Sequence, residues 1–404
     1  MTQSREFDVV IWGATGFTGG YVVDYMASAY SGSNLKWAIA GRNPEKLKAL
    51  VGAKNIDGIN IFQADAMDLD SMRDLVQKTR VVLTTVGPYA RYGSELVAAC
   101  AEHGTHYCDL TGETHWMREM IEAHQATAEQ SGAIIVPTCG FDSIPSDLGV
   151  YFLQREMVAK TGQPSPHIKY RTRSFQGGFS GGTLDSMMAM MEKAETHPEL
   201  LDAVADPYVL NFKERGLDGP DSNRAYYDAD FDGWVAPFIM AAINTRVVRR
   251  SNELLGFFYG HDFRYDEGMF MGQGPKGAIT ANVAGMGIAT MNRLPRFKPV
   301  RELMQKFLPK PGEGPTPEQV ENGYFDVELM AKGPTPADDL RINVKGQQDP
   351  GYGATAKMLA ESAVCLAQDD LIVGGGFWTP ASAMGDQLLK RLPDNAQVTF
   401  EQHA

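Results

Sequence analysis

Residues 7–19 read Phe-Asp-Val-Val-Ile-Trp-Gly-Ala-Thr-Gly-Phe-Thr-Gly. Phe7 to Trp12 is an apolar run with β-branched residues, the pattern of a strand buried on both faces. Gly13, Gly16 and Gly19 follow, spaced G-x-x-G-x-x-G rather than the usual G-x-G-x-x-G. A helix from about Gly16 to Ala29 comes next. A strand, a glycine turn and a helix start, in that order, bring free backbone N–H groups and a positive helix end to one point. That arrangement suits a pyrophosphate. A glycine turn with no ligand is the alternative, and the downstream chain decides between the two.

Downstream, strand and helix keep alternating. Strands are expected at Leu35–Ala40, Ile59–Gln63, Val81–Val86, His106–Leu110 and Ala133–Pro137. Helices are expected from Asn43-Pro44, over Asp68–Lys78, over Gly93–His103 and over Thr114–Ser131. With the first strand this makes six strands by residue 137, the signature of a doubly wound parallel sheet. The expected fold is therefore α/β, a Rossmann domain with a second, inserted α+β domain of mixed or antiparallel sheet.

The bulk numbers agree with this and remove other classes. The 404 residues suit two domains. A net charge of −13 repels nucleic-acid phosphates, so no nucleic acid partner is expected. Cys100, Cys108, Cys139 and Cys365 form no C-x-x-C pair and no zinc-ligand spacing, so no metal is expected and reduced thiols in a cytoplasmic setting are. The N-terminus runs straight into a strand and has no signal-peptide pattern. The longest uncharged apolar stretch, Gly277 to Asn292, is 16 residues, short of the roughly 20 a spanning helix needs. It runs into Arg293, Arg296, Lys298 and Arg301, which leaves peripheral membrane contact open beside the alternative of a buried helix.

Cofactor type is decided at the end of the second strand, where NAD sites place an Asp or Glu for the ribose hydroxyls. Here the residues are Ala40-Gly41-Arg42-Asn43. Arg42 suits a 2′-phosphate, so NADP is expected; the bland alternative pairs Arg42 with Glu45. Gly13, Ala14, Thr15, Gly16, Phe17 and Thr18 form the expected pyrophosphate loop. Asp65 is a candidate for the adenine amino group or else a capping carboxylate. Val86, Gly87 and Pro88 follow the fourth strand at the carboxyl edge, where ligands bind in such sheets.

Taken with Val86-Gly87-Pro88-Tyr89, Asp109-Leu110-Thr111-Gly112-Glu113 and Gly140-Phe141-Asp142-Ser143-Ile144-Pro145-Ser146-Asp147, the glycine loop and Ala40-Gly41-Arg42 resemble the saccharopine dehydrogenase-like oxidoreductases. Ser180-Gly181-Gly182-Thr183, Pro311-Gly312-Glu313-Gly314-Pro315, Gly351-Tyr352-Gly353-Ala354-Thr355-Ala356 and Thr379-Pro380-Ala381-Ser382-Ala383-Met384-Gly385 are similar to the trans-acting enoyl reductase branch. The resemblance implies an NADP-binding Rossmann domain over 1–147, a substrate domain over 148–348, and a C-terminal helical segment over 349–404 that packs back on the first domain. It also implies reduction of a carbon–carbon double bond in a lipid or polyketide-like chain, free or carried by a partner.

The second half has weaker patterns of its own. His167–Ser174, Tyr324–Lys332 and Leu340–Gly346 read as strands, the last two as an antiparallel pair. Thr183–Ala194, Tyr352–Gln368 and Ala381–Leu392 read as helices, and Lys298–Thr316 as a proline-rich connector. Met187, Met188, Met190, Met191, Met240, Met269, Met271, Met286 and Met291 are core fillers or the lining of an adaptable apolar pocket.

For hydride addition to an enoyl thioester, the site needs a donor to the carbonyl oxygen and an acid for the α-carbon. The candidates are Tyr89, Asp142, Ser143 and Ser180, each of which has a packing or capping alternative. Two rivals remain. One is an imine or amino acid oxidoreductase, which needs converging cations from Arg171, Arg173, Arg224, Arg246, Arg249, Arg250 and Arg264. The other is a non-catalytic NADP-binding protein at a lipid surface. A homo-oligomer is left open.

Overall fold

The computed structural model describes residues 5–56, 58–178, 181–293 and 314–403. The first six strands are β1 (Phe7–Trp12), β2 (Trp37–Gly41), β3 (Asn60–Gln63), β4 (Thr79–Thr84), β5 (His106–Cys108) and β6 (Ile134–Val136). They pair in parallel in the order β6-β5-β4-β1-β2-β3. The strand order therefore reverses between β1 and β4, which opens a crevice at their carboxyl ends. Along β1, Val9 and Ile11 face one core and Val10 and Trp12 the other, so the strand is apolar throughout because both faces are covered.

The second domain is a mixed sheet of β7 (His167–Gln176), β8 (Tyr226–Asp228), β9 (Gly233–Ala236), β10 (Arg264–Gly272), β11 (Tyr324–Ala331) and β12 (Leu340–Gln347). Its order is β12-β11-β7-β10-β9-β8, with β10 parallel to β7 and the other pairs antiparallel. Strands β11 and β12 form the antiparallel pair expected at Tyr324–Lys332 and Leu340–Gly346. Strands β8 to β10 and the helix Ala241–Leu254 were not legible in the sequence.

The C-terminal segment does more than cover the first sheet. Helix Gly353–Gln368 is buried along nearly its whole length and packs on β1, β4 and β5. The chain then adds β13 (Gly376–Phe377), a seventh parallel strand beside β6. Last comes β14 (Val398–Gln402), which pairs with β12 in the second sheet. The C-terminal segment, expected to be helical and to pack on the first domain, also carries β13 and β14 and so ties both sheets together.

The apolar stretch 277–292 lies in the helix Gly274–Arg293. Gly277, Ala281 and Gly285 face inward, and Ile279, Val283 and Met286 face out. Arg296, Lys298, Arg301, and all but the last three residues of the expected connector lie outside the described residues. Among the described residues no helix is long and apolar enough to cross a membrane.

Candidate active site

The glycine loop is built by close approach. Gly13 sits at φ +91°, and a Cβ there would stand 2.5 Å from Val86 Cγ2. Gly19 packs its Cα against the loop: a Cβ would lie 2.1 Å from the Gly13 carbonyl oxygen. The Thr85 hydroxyl donates to that same oxygen at 3.3 Å, which ties the loops after β1 and β4 together. Gly16 is the N-cap of helix Phe17–Ala29, with no side-chain cap and no acidic residue in the first turn. Helix N–H groups that no side chain satisfies, next to exposed Thr15 and Gly16, form an anion cradle. Ala14 is buried beneath it, and Thr18 is half-buried. Phe17 turns its ring onto Tyr21 and Tyr352, with centroids 5.4 and 4.6 Å apart, and braces the loop from the C-terminal segment.

Arg42 follows β2, is exposed, and makes no ion pair among the described residues. Glu45, its alternative partner, pairs with Lys48 at 2.9 Å. Asn43 caps the next helix by accepting from Lys46 N at 3.0 Å. The guanidinium of Arg42 therefore stands free at the end of β2, where an adenosine 2′-phosphate lies in this fold. Asp65 is exposed, and one carboxylate oxygen accepts from Met67 N at 3.0 Å, a local turn that leaves the other oxygen open. Val86 and exposed Gly87 form the lip of the crevice after β4, with Pro88 buried behind them.

The catalytic candidates separate by environment. Tyr89 is 4% exposed. Its hydroxyl donates to Thr84 O at 3.3 Å, accepts from Leu110 N at 3.5 Å, and its ring lies 5.6 Å from Trp116. Burial and the nearby Asp109 carboxylate push its phenol well above the ordinary range. A hydroxyl engaged on two sides and packed against tryptophan serves the core.

Asp142 differs. It is only partly buried, it follows β6 at the carboxyl edge, and no side chain among the described residues bonds to its carboxyl. Desolvation alone raises its pKa to about 7. Ser143 beside it is fully buried at φ +131° and donates to Asn244 Oδ1 at 3.3 Å instead of capping its own helix. Ser180 and the side chain of Thr183 lie outside the described residues. Of the methionines in that helix, Met188 and Met191 are buried as core, and the Met187 side chain lies outside the described residues.

Sequence reasoning missed Glu113 and Ser186. The Glu113 carboxylate accepts from Tyr89 N at 2.8 Å and Ala90 N at 2.9 Å, so it caps the turn that carries Gly87-Pro88. The Ser186 hydroxyl donates to Glu113 Oε1 at 2.8 Å. This joins helix Gly181–Thr196 of the second domain to the crevice lip. Glu113 lay inside a motif already singled out, but its partners are 23 and 24 residues away and no local pattern shows them.

The seven arginines do not converge. Arg171 pairs with Asp228 and Asp266, Arg173 with Glu328, Arg246 with Asp221 and Arg249 with Asp218. Arg250 donates to the carbonyls of Leu210 and Phe377. Arg224 and Arg264 are exposed.

Comparison with known proteins gives a consistent result. Residues 9–136 match the family described as the saccharopine dehydrogenase NADP binding domain. The chain is 40% identical over 408 residues to a putative trans-acting enoyl reductase of Mycobacterium tuberculosis, with 96% of each chain covered. It is 38% identical over 421 residues to the trans-acting enoyl reductase of Mycobacterium leprae, with 98% of each covered. Among solved structures, apo saccharopine dehydrogenase (L-Glu forming) from Saccharomyces cerevisiae superposes with a TM-score of 0.55 at 11% identity, covering 98% of this chain and 99% of that one. At that identity the likeness is one of fold.

Proposed function

This chain belongs to the trans-acting enoyl reductase family of the saccharopine dehydrogenase-like oxidoreductases, and on that footing we propose that it reduces a carbon–carbon double bond conjugated to a carbonyl, in a lipid or polyketide-like chain held by a separate carrier. Its cofactor is NADP, which when bound supplies the hydride. The cradle of Gly13, Gly16 and Gly19, the lip at Val86-Gly87 and the free guanidinium of Arg42 are the residues that would hold it. Asp142 is the proton donor to the α-carbon of the substrate. Its carboxyl titrates near neutral pH because it is desolvated, so at pH 7 a substantial fraction carries the proton it must deliver.

One observation carries the choice between carbon–carbon and imine reduction. A substrate with several carboxylates needs free cations in the site, and five of the seven available arginines are already spent on internal carboxylates or carbonyls. The test follows NADPH oxidation at 340 nm with 2-enoyl thioesters, free and carrier-bound, against amino acid plus keto acid pairs. Turnover on the enoyl substrates, with a drop of about 10²–10⁴-fold in Asp142→Asn, is expected. Turnover on the imine-forming pairs alone would overturn the proposal.

A further inference from the structure

The turn that carries Asp142 is held in a costly shape by the other domain. Ser143 has φ +131°, a conformation that an L-residue adopts only when its surroundings impose it. It stands at the N-cap of helix Ile144–Thr161, where a serine ordinarily satisfies its own helix, and it does not do so. Its hydroxyl points across the domain junction to Asn244 of helix Ala241–Leu254. Asn244 is 1% exposed, and its Nδ2 donates to Glu267 Oε2 on β10 at 3.0 Å. The other oxygen of Glu267 accepts from the Tyr265 hydroxyl at 2.7 Å.

The backbone of the same turn is gripped from two further sides. Phe141 N donates to Thr355 Oγ1 at 2.9 Å, and the Phe141 ring lies 4.9 Å from that of Phe325. Among the four residues 140–143, the Asp142 side chain is the one left without a partner among the described residues.

We propose that Asn244 and Glu267 are positioning residues: through Ser143 they lock the 141–143 turn and thereby hold the Asp142 carboxyl unpaired and poorly solvated at the carboxyl edge of β6. This deepens the reading of Asp142 as the proton donor and rests on it. The chain of bonds has a defined direction. Ser143 donates to Asn244, Asn244 donates to Glu267, and Glu267 accepts from both sides. Burial raises the Glu267 carboxyl to about 7, and in its ionised form it only accepts, which orients the Asn244 amide and through it the serine hydroxyl. The groups facing Glu267 are Tyr265, Tyr170, Asn244 and Ser146, with the Asp221 carboxylate acting on it through space. No cation among them competes for its lone pairs.

Glu267→Gln keeps the shape and replaces one of the two acceptor oxygens by an NH2, so one of the two bonds that Glu267 accepts loses its acceptor. Asn244→Ala removes the link. The experiment reads the Asp142 titration directly, by 13C-carboxyl NMR on the NADP+-loaded full chain, with Asp142→Asn for assignment. Both variants are expected to lower the Asp142 midpoint by at least one pH unit as the turn relaxes and water reaches the carboxyl. NADPH affinity should stay within threefold. In turnover of the enoyl substrate, the alkaline limb of the kcat profile, where the proton donor loses its proton, should shift with the midpoint.

An unchanged Asp142 midpoint in a folded Glu267→Gln or Asn244→Ala protein would overturn the proposal. If Asn244→Ala does not fold, the Glu267→Gln result decides alone. The NMR readout needs no substrate. A failure to find enoyl reduction therefore speaks against the proposed function, and an unmoved midpoint speaks against the positioning role.

Discussion

Gly19→Ala and Gly20→Ala are adjacent, chemically identical changes on one helix, and the structure assigns them opposite outcomes. A methyl at residue 19 would lie 2.1 Å from Gly13 O, 2.9 Å from Gly13 C and 3.0 Å from Thr85 Oγ1. The first two are backbone atoms and cannot rotate away, so the loop or the helix start must move by roughly an ångström, at a cost of about 1–3 kcal/mol in packing. That movement also displaces the N–H groups that meet the pyrophosphate. Losing two charge-assisted hydrogen bonds of about 1.5–3 kcal/mol each predicts a weakening of NADPH binding by about 10²–10⁴-fold. At residue 20 nothing lies within 4 Å of the methyl. Alanine there gains the ordinary helix preference of about 0.5–1 kcal/mol and leaves the loop alone. NADPH titration by fluorescence and urea unfolding of both variants give the comparison, with circular dichroism to confirm that each is folded. Gly19→Ala binding NADPH within threefold of the parent chain would refute the loop assignment.

Other outcomes follow from the same geometry. Arg42→Ala should weaken NADPH about 10-fold, the low end for a charged hydrogen bond because the group is exposed, and leave NADH unchanged; equal loss for both cofactors would refute the 2′-phosphate role. Tyr89→Phe should cost about 1 kcal/mol of stability in urea unfolding and keep kcat within threefold, and a hundredfold loss of kcat would return Tyr89 to the chemistry. Asp147 is fully buried, accepts from Ser251 Oγ at 2.5 Å and Ala381 N at 2.8 Å, and burial raises its carboxyl to about 7. Because its folded pKa lies above the unfolded value near 4, its contribution is complete below pH 4 and is lost as pH rises toward 7, by on the order of 4 kcal/mol. His106, held down to about 4 by burial, slopes the other way below pH about 6.5, so the check is the difference between the parent chain and Asp147→Asn from pH 5 to 8, which should shrink as pH rises; a constant difference would count against it.

The first domain was legible almost element by element, and the reason is local. Each strand there is a short apolar run closed by a glycine, a capping residue or a proline. The helix expected at Thr114–Ser131 has those bounds in the structure. Helix Ala241–Leu254 escaped because its buried face holds Arg246, Arg249 and Arg250, 2–4% exposed. Hydrophobic periodicity reads arginine as surface, and these are buried only because Asp221, Asp218 and the carbonyls of Leu210 and Phe377 meet them from distant parts of the chain. Strand β13 is two residues long and has no pattern to read. The site divides in the same way. Glycine spacing and Arg42 stand in one segment of sequence each, whereas the bonds from Tyr89 and Ala90 to Glu113, from Ser143 to Asn244 and from Asn244 to Glu267 span 23 or more residues.

The paired arginines do more than disfavour an imine substrate: they indicate what the second domain is built to do. An ionised group moved out of water must recover several kcal/mol from partners that stay in place. Arg171 is 0% exposed, between Asp228 and Asp266, and the Asp266 carboxyl is held well below the ordinary range by His167 and Arg171. Freeing such a guanidinium for a substrate carboxylate would break its pairs with both Asp228 and Asp266 and leave Asp228 only Lys169 and Asp266 only His167 as ionic partners. A substrate carboxylate would therefore gain little there. The same pairs instead fix β7, β10 and the 226–231 turn as one rigid unit. Strand β10 carries Tyr265 and Glu267, so under the positioning role proposed for Glu267 its rigidity is passed to the turn at Asp142. The charges of the second domain thus serve the shape of its sheet, and among the described residues no side chain pairs with the Asp142 carboxyl at the crevice.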